Sequence, residues 1–216
     1  MTITVLGICG SPVKGGNTEA FLNDALKAAA ELPDVTTRLV RLADKNIGDC
    51  THCNWCITKQ TAERYCQVKD DMETLYPELI SADVIMLATP VYFARLSGYL
   101  ANLIDRLRCL YLGRVHAGRL TNKVGCALAV SWYRNRGVEP ALVSIVGAFL
   151  GLQMLPVAPP KLGSPFGAAG TASRHGDGEF DAAGKVGVLK DRHGLEGARS
   201  MAKRAVTVAR LLKRRD

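Results

Sequence analysis

ITVLGICGSPVKGGNT, residues 3–18, decides the fold. Its first seven residues form an apolar, β-branched run of strand length. A stretch of glycine and small polar residues follows. "TEAFLNDALKAAAEL" (18–32) then takes up a helical period, with Phe21, Leu22, Ala25, Leu26 and Ala29 recurring at i, i+1, i+4, i+5 and i+8. Strand, glycine-rich turn and amphipathic helix together make the opening unit of a parallel α/β sheet. The turn suits an anion. Its glycines let backbone approach closely, Ser11, Asn17 and Thr18 offer side-chain donors, and Lys14 offers charge. The amides that open the helix point at the same place. The turn is not a Walker A loop, since no Gly-Lys-Ser/Thr closes it. Nor is it Gly-x-Gly-x-x-Gly, which disfavours a Rossmann dinucleotide site. The same residues also serve a plain strand-to-helix turn with an N-cap, so this stretch alone leaves both readings open.

The pattern continues outward. Strands are expected at 36–42 (TTRLVRL), 83–90 (DVIMLATP), 123–130 (KVGCALAV) and, edge-like because of Pro156, at 153–158 (QMLPVA). Helices are expected at 70–82, with Pro77 near a bend, at 97–110, at 140–152 with Pro140 in the first turn, and at 195–214. Near-continuous apolar strands separated by helices imply a parallel sheet covered on both faces. The expectation is one α/β domain over 1–216, a doubly wound five-stranded parallel sheet of order 2-1-3-4-5. A cysteine-rich segment, 43–69, is inserted after the second strand. Residues 159–184, rich in Gly, Ala and Pro, are too long for a simple connection and read as a lid, a partner contact or a disordered loop.

Ligands of such sheets bind outside the carboxyl ends of the strands, near the point where strand order reverses. Two further loops are expected at that edge. One places Pro90, Val91, Tyr92 and Phe93 where a flat apolar ligand can rest. The other places Ser131, Trp132, Arg134, Asn135 and Gly137 there. Each aromatic alone reads as an ordinary edge residue. Three ligand-suited loops at one edge favour a phosphorylated planar cofactor.

Composition narrows the class. Hydrophobic residues make up 48% of the chain, enough for a sizeable core, and no apolar run reaches the roughly 18–20 residues that span a bilayer. The first residues read as a strand rather than a signal peptide, so the expected location is cytoplasmic, with no membrane partner. The net charge of +8 is concentrated in residues 185–216, where ten Lys/Arg face three Asp/Glu. No aromatics interleave these charges as a base-stacking platform requires. The stretch therefore reads as the solvated face of a helix rather than a nucleic-acid surface.

Three of the seven cysteines fall in "CTHCNWC" (50–56) and a fourth, Cys66, follows. In a reducing compartment such a cluster points to metal or catalysis rather than disulfides. The run Cys50, Cys53, Cys56, Cys66 reads Cys-x2-Cys-x2-Cys-x9-Cys. Two-residue gaps let one loop wrap three corners of a cubane, whereas zinc sites more often use two separated pairs. A [4Fe–4S] cluster, a zinc knuckle and no metal all stay open. Cys66 is the least regular of the four, because its gap is long and no Pro follows it. His52 lies inside the run. Cys9, Cys109 and Cys126 read as small core residues.

"GSPVKGGNTEAFL", the cysteine run leading into "DDM", and "ADVIMLATPVYFARLSGYLANLIDR" together resemble the flavodoxin-like NAD(P)H-dependent FMN reductase superfamily, on its iron–sulfur flavoprotein branch. The resemblance covers about residues 2–157. It implies that Ser11, Asn17 and Thr18, in a loop with Pro12, Lys14 and Gly16, hold the FMN phosphate. It places the isoalloxazine on Pro90–Phe93, with residues 131–137 on the ring's far side. It implies a [4Fe–4S] cluster on the four cysteines, although some relatives keep part of the run without one. The expected activity is electron transfer between reduced ferredoxin or NAD(P)H and a small-molecule or protein acceptor, in a homodimer or homotetramer. The alternatives are a cluster-free NAD(P)H:FMN or quinone reductase and, from another class, a non-redox binding module with a structural zinc knuckle.

Overall fold

The computed structural model describes residues 1–179 and 186–213. Strand β1 (Ile3–Cys9) pairs in parallel with β2 (Val35–Arg41) on one side and β3 (Val84–Pro90) on the other. Next to β3 runs β4 (Val124–Ser131), again parallel. Every residue of β3 and β4 is buried, as central strands require, while β2 exposes the middle of its length at the sheet edge.

The far edge departs from expectation. The fifth strand, β5, is only Leu155–Val157, paired with Val124–Cys126 of β4. A sixth strand, β6 (Ala168–Thr171), takes up pairing higher on β4, from Leu128 to Ser131. The order is β2-β1-β3-β4-β5, with β6 also on β4. The expected five-stranded sheet thus has six strands, and the expected loop 159–184 contains one of them. Pro156, Pro159 and Pro160 interrupt the edge chemically, because proline cannot donate to a ladder. Where the chain rejoins, Gly167 has φ +150° and a Cβ there would stand 2.3 Å from the Ala127 carbonyl oxygen, so only glycine can return to β4. The last part of that loop, 180–184, lies outside the described residues, as do Lys185 and residues 214–216 of the basic tail.

On one face of the sheet lie α1 (Asn17–Ala30) and the long α7 (Arg192–Lys213). Phe21, Leu22, Ala25, Leu26 and Ala29 are buried as their period predicts, and each large one contributes about 1.5–3 kcal/mol. Helix α7 buries Gly194, Gly197, Ala198, Ala202 and Ala205, small residues that allow close approach. Its basic face is tied down in part. Arg199 makes a two-pronged pair with Asp24, Lys203 pairs with Glu31, and Lys213 with Asp83.

The opposite face carries α3 (Met72–Ser81), α4 (Gly98–Arg106), α5 (Arg108–Tyr111) and α6 (Val138–Gly151), with α2 (Trp55–Thr58) inside the cysteine segment. Pro77 lies inside α3, at its sixth position. The single helix expected over 97–110 is two, divided at Leu107. Among the described residues no helix is long and apolar enough to cross a membrane.

Candidate functional site

Three loops meet at the carboxyl edge. In the first, Ser11 and Thr18 are almost fully buried and Gly16 caps α1 without any side-chain hydrogen bond, which leaves the opening amides to an outside acceptor. Pro12 and Lys14 are exposed, and Lys14 is paired with Asp44. The loop is braced from three sides. The Ser97 hydroxyl donates to the Gly10 carbonyl at 2.6 Å while accepting from the Leu100 amide as N-cap of α4. The Asn17 side-chain oxygen accepts from the Val188 amide at 2.9 Å. Glu19 accepts from the Gly15 amide and from Arg41, and the Arg41 bond holds its carboxyl below the usual range. Burial pushes the neighbouring Cys9 thiol up to about 11, which fits its reading as a core residue.

The second loop leaves β3 at Pro90. The Val91 amide donates to the Val130 carbonyl. Tyr92 and Arg95 exchange backbone bonds at 3.3 and 3.2 Å across a two-residue turn whose central residues, Phe93 and Ala94, have φ +46° and +57°. Such angles are strained for a phenylalanine, and the turn holds its ring fully in solvent. Gly137 completes the seat: at φ +79°, its absent Cβ would stand 2.3 Å from the Ala94 α-carbon.

The third loop is covered by residues 173–178, part of the long 159–184 stretch for which a lid was one expectation. Ser173 donates to the Trp132 carbonyl and accepts from the Gly178 amide, the Trp132 indole donates to the Gly178 carbonyl, and the Arg134 amide donates to the Gly176 carbonyl. Ser131 is buried, its hydroxyl bonded to the Tyr133 carbonyl, while Asn135 is exposed at φ +60°. A cavity of about 990 Å³ opens between this segment and the start of α7, lined in part by Thr171, Arg174, His175 and His193. Of the residues expected at the edge from sequence, it shares only Arg134.

The cysteine segment leaves the sheet after β2 and returns at the start of α3, so both its ends lie at the carboxyl edge. A buried ion pair closes its base. Arg106, with its side chain 1% exposed, grips Asp70 with both nitrogens and also donates to the carbonyls of Gly48 and Val68. Asp70 in turn accepts from the amides of Gly48 and Met72. Burial opposes the Asp70 charge, but Arg106 and these amides outweigh it and hold its carboxyl below the usual range. Gln60, also buried, ties the middle of the segment. Its amide nitrogen donates to Tyr65 and Cys109 carbonyls, and its oxygen accepts from the Val115 and His116 amides.

Within that frame Cys56 is buried, Cys50 and Cys66 are half-buried, and Cys53 is exposed; all four are free thiols. Burial pushes the Cys56 thiol up, Arg108 opposes this, and the charges of Cys66, Cys50 and Cys53 add to the rise. Amides and a cation favour thiolate at Cys53: first the Trp55 amide, then the Thr51 hydroxyl, its own amide and Arg108. Burial pushes the Cys109 thiol up to about 12, and the charges of Cys66 and Cys56 add to the rise. His52 is exposed, with φ +51°. Among the described residues no three His, Cys, Asp or Glu groups converge as a metal site needs. By its chemistry alone, a set of four thiols is what a cubane takes, one thiolate at each of four irons.

The sequence signature of the NADPH-dependent FMN reductase family covers residues 3–169. An iron–sulfur flavoprotein of Methanocaldococcus jannaschii is 35% identical over 210 residues, 97% of this chain and 99% of that protein. Another, from Archaeoglobus fulgidus, is 32% identical over 209 residues, covering 97% and 96%. Among solved structures, RosB with its bound intermediate 8-demethyl-8-formylriboflavin-5'-phosphate superposes with a TM-score of 0.76 at 17% identity, over 99% of this chain and 81% of that one. The NADH:FMN oxidoreductase EMOB gives 0.59 at 16% identity, over 94% and 90%. At these identities the structures speak to the fold, a flavodoxin-like one. Signature and relatives together settle the family: the chain is an FMN-dependent oxidoreductase belonging to the NADPH-dependent FMN reductase family, on the branch of the iron–sulfur flavoproteins.

Proposed function

We propose that the chain binds FMN at the three-loop edge, holds a [4Fe–4S] cluster on Cys50, Cys53, Cys56 and Cys66, and passes electrons between reduced ferredoxin or NAD(P)H and a small-molecule or protein acceptor. The observation that carries this reading is a four-cysteine segment held at both ends by Arg106, at the same sheet edge as a loop whose helix amides lack a cap. Bound FMN supplies exchange between hydride or paired electrons and single electrons, and a cluster supplies one-electron steps. The protein's part is placement. Ser11, Thr18 and the opening amides of α1 hold a terminal phosphate, with Asn17 pinned alongside. Pro90 to Phe93 offer one wall for a flat ring, and the loop of Ser131, Trp132, Arg134, Asn135 and Gly137 offers the other. The thiolates of Cys50, Cys53, Cys56 and Cys66 are the cluster ligands, and Arg108 offsets part of their charge. Assembly as a homodimer or homotetramer is part of the same reading, with the exposed Phe93 turn available to a neighbouring copy.

Anaerobic purification with iron, sulfide and flavin analysis tests it. About four iron, four sulfide and one FMN per chain are expected, the first two set by the cluster's own stoichiometry. FMN without iron after anaerobic reconstitution would leave a cluster-free reductase. Zinc at one per chain with no flavin would leave a binding module.

A further inference from the structure

The phosphate-type loop carries a buried acid where an anion is expected to bind. Glu19 stands in the first turn of α1, and its side chain is only 6% exposed. One carboxylate oxygen accepts from the Gly15 amide at 2.8 Å, so it takes up one of the loop's own donors. The other accepts from the Arg41 guanidinium at 2.7 Å. Arg41 is the last residue of β2 and lies in register with Cys9, the last residue of β1, from which the loop departs. Gly15 has φ +66°, so the Glu19 bond fixes a residue with little conformational preference of its own. A carboxylate in the first turn suits the helix dipole. It also opposes any second anion brought to the same amides, and such repulsion is strong where water is partly excluded. Lys14, the loop's own cation, does not offset it, because Lys14 is paired with Asp44 beyond the end of β2. Lys14, Glu19, Arg41 and Asp44 thus make two neutral pairs, and the buried charge belongs to the pair with Arg41.

We propose that Arg41 sets the loop's affinity for a phosphate through Glu19, cancelling the buried carboxylate so that a phosphorylated flavin is not repelled. Arg41 is then a positioning residue and not a ligand of the phosphate. The inference rests on the FMN reading proposed above and adds what sets the preference for a flavin with a phosphate over the same flavin without one. Two services separate. The Glu19 carboxylate shapes the turn through the Gly15 amide, and the Arg41 guanidinium removes the electrostatic penalty of that shaping. The Arg41 bond is also the main reason the Glu19 carboxyl lies below its usual range, so the acid stays ionised and needs its counter-charge. A cation in direct contact with the phosphate acts whether or not Glu19 is charged. A cation that acts through Glu19 loses its effect once Glu19 is neutral.

The test titrates the whole chain, freed of flavin, with FMN and with riboflavin, which is the same molecule without the phosphate. Binding is read by flavin fluorescence quenching. The parent should prefer FMN. Arg41→Met should lower FMN affinity about tenfold and leave riboflavin affinity within about twofold, because only the phosphate meets the uncancelled charge. Arg41→Lys keeps the charge and should hold the parent's preference. Glu19→Gln keeps an acceptor for the Gly15 amide without the charge, and should raise FMN affinity about threefold with riboflavin unchanged. Glu19→Gln/Arg41→Met restores neutrality and should bring FMN affinity back near the parent's. A double variant as weak as Arg41→Met would overturn the inference, since Arg41 would then touch the phosphate itself. Equal losses for FMN and riboflavin in Arg41→Met would overturn it too, leaving the pair a purely structural part. Arg41→Met leaves a buried carboxylate unpaired. If it does not fold, Glu19→Gln decides, and a fall in its FMN affinity would overturn the inference. A parent that binds riboflavin as tightly as FMN would fail the phosphate assignment itself and take this inference with it.

Discussion

The phosphate-type loop and the cysteine segment sit at the same sheet edge but are held there by different means. Residues 10–18 are shaped by what flanks them, a buried strand and a helix whose apolar face is locked into the core. The cysteine segment has only a four-residue helix of its own. Its form depends on three side chains from three places in the chain: Asp70, Arg106 and Gln60. Topology holds one region, and a few buried polar groups hold the other. The second arrangement is more fragile, because a buried polar group left without its partner costs more than its bond was worth.

The strongest way to break the contrast is Asp70→Ala. It strands a buried guanidinium and leaves the Gly48 and Met72 amides without their acceptor, and breaking such a pair costs about 3–5 kcal/mol. Urea unfolding should show a loss of that size, and limited proteolysis should cut within 48–68. FMN affinity should change little, because none of the bonds around residues 10–18 involves Asp70. The same pair sets an acid limit. The folded carboxyl lies below its unfolded value, so its contribution is present above about pH 4 and is lost as pH falls through the folded value. An Asp70→Asn variant should show a flatter stability profile below about pH 4 than the parent. A profile of equal slope would mean that the pair contributes nothing through titration.

Gln60→Leu breaks the segment at its middle and leaves two amides and two carbonyls without their partner. Each buried group left so costs about 1–3 kcal/mol, and relaxation recovers part of this, so a loss of about 3 kcal/mol is expected. Hydrogen exchange should quicken at the Val115 and His116 amides and stay slow in α1. Quickened exchange throughout the chain would show that the two regions are not independent.

How far each region was legible follows from the same contrast. The first four strands, their order and most of the helices are written locally, as runs and periods, and stand where the pattern puts them, while the fifth strand is shortened to Leu155–Val157 and the 97–110 helix is divided. Ser97 was legible as the first residue of its helix, yet nothing local says that its hydroxyl also reaches Gly10, 87 positions away. Strand β6 escaped because AAGT is short and rich in small residues; only its pairing with β4 makes it a strand. Gln60 carries no signal, since a glutamine between two charged stretches looks like surface until the fold closes over it. The cysteine spacing was visible, but the clamp that gives it a shape depends on Arg106 arriving from α4, across 36 residues. Cys109 read as a core residue, and it is one.

On the loop side the test is Ser11→Ala/Thr18→Ala. Hydrogen bonds to a charged group contribute about 1.5–3 kcal/mol each. A solvent molecule taking over part of the role would blunt the loss, so FMN affinity should fall at least about tenfold, read by flavin fluorescence quenching. Stability and iron content should hold, which is the mirror image of Asp70→Ala. Unchanged FMN affinity would remove the phosphate from this loop.

The smallest expected effect comes from the residue that touches both means of support. Ser97 caps α4, the helix that carries Arg106 at its far end, and its hydroxyl also donates to the Gly10 carbonyl where the phosphate-type loop begins. Replacing a serine N-cap by alanine costs about 1 kcal/mol. If cap and brace are separate services, Ser97→Ala should lower stability by about that much and weaken FMN only two- to threefold, a few tenths of a kcal/mol. Ser97→Thr keeps the hydroxyl and should restore both. If α4 instead transmits the loss along its length, Ser97→Ala should also loosen the clamp, and proteolysis within 48–68 should increase as it does in Asp70→Ala. Helix α4 is only nine residues long and Arg106 is anchored independently by four acceptor contacts. Local fraying at the Ser97 end therefore need not reach the other end, and the proteolysis pattern should stay that of the parent.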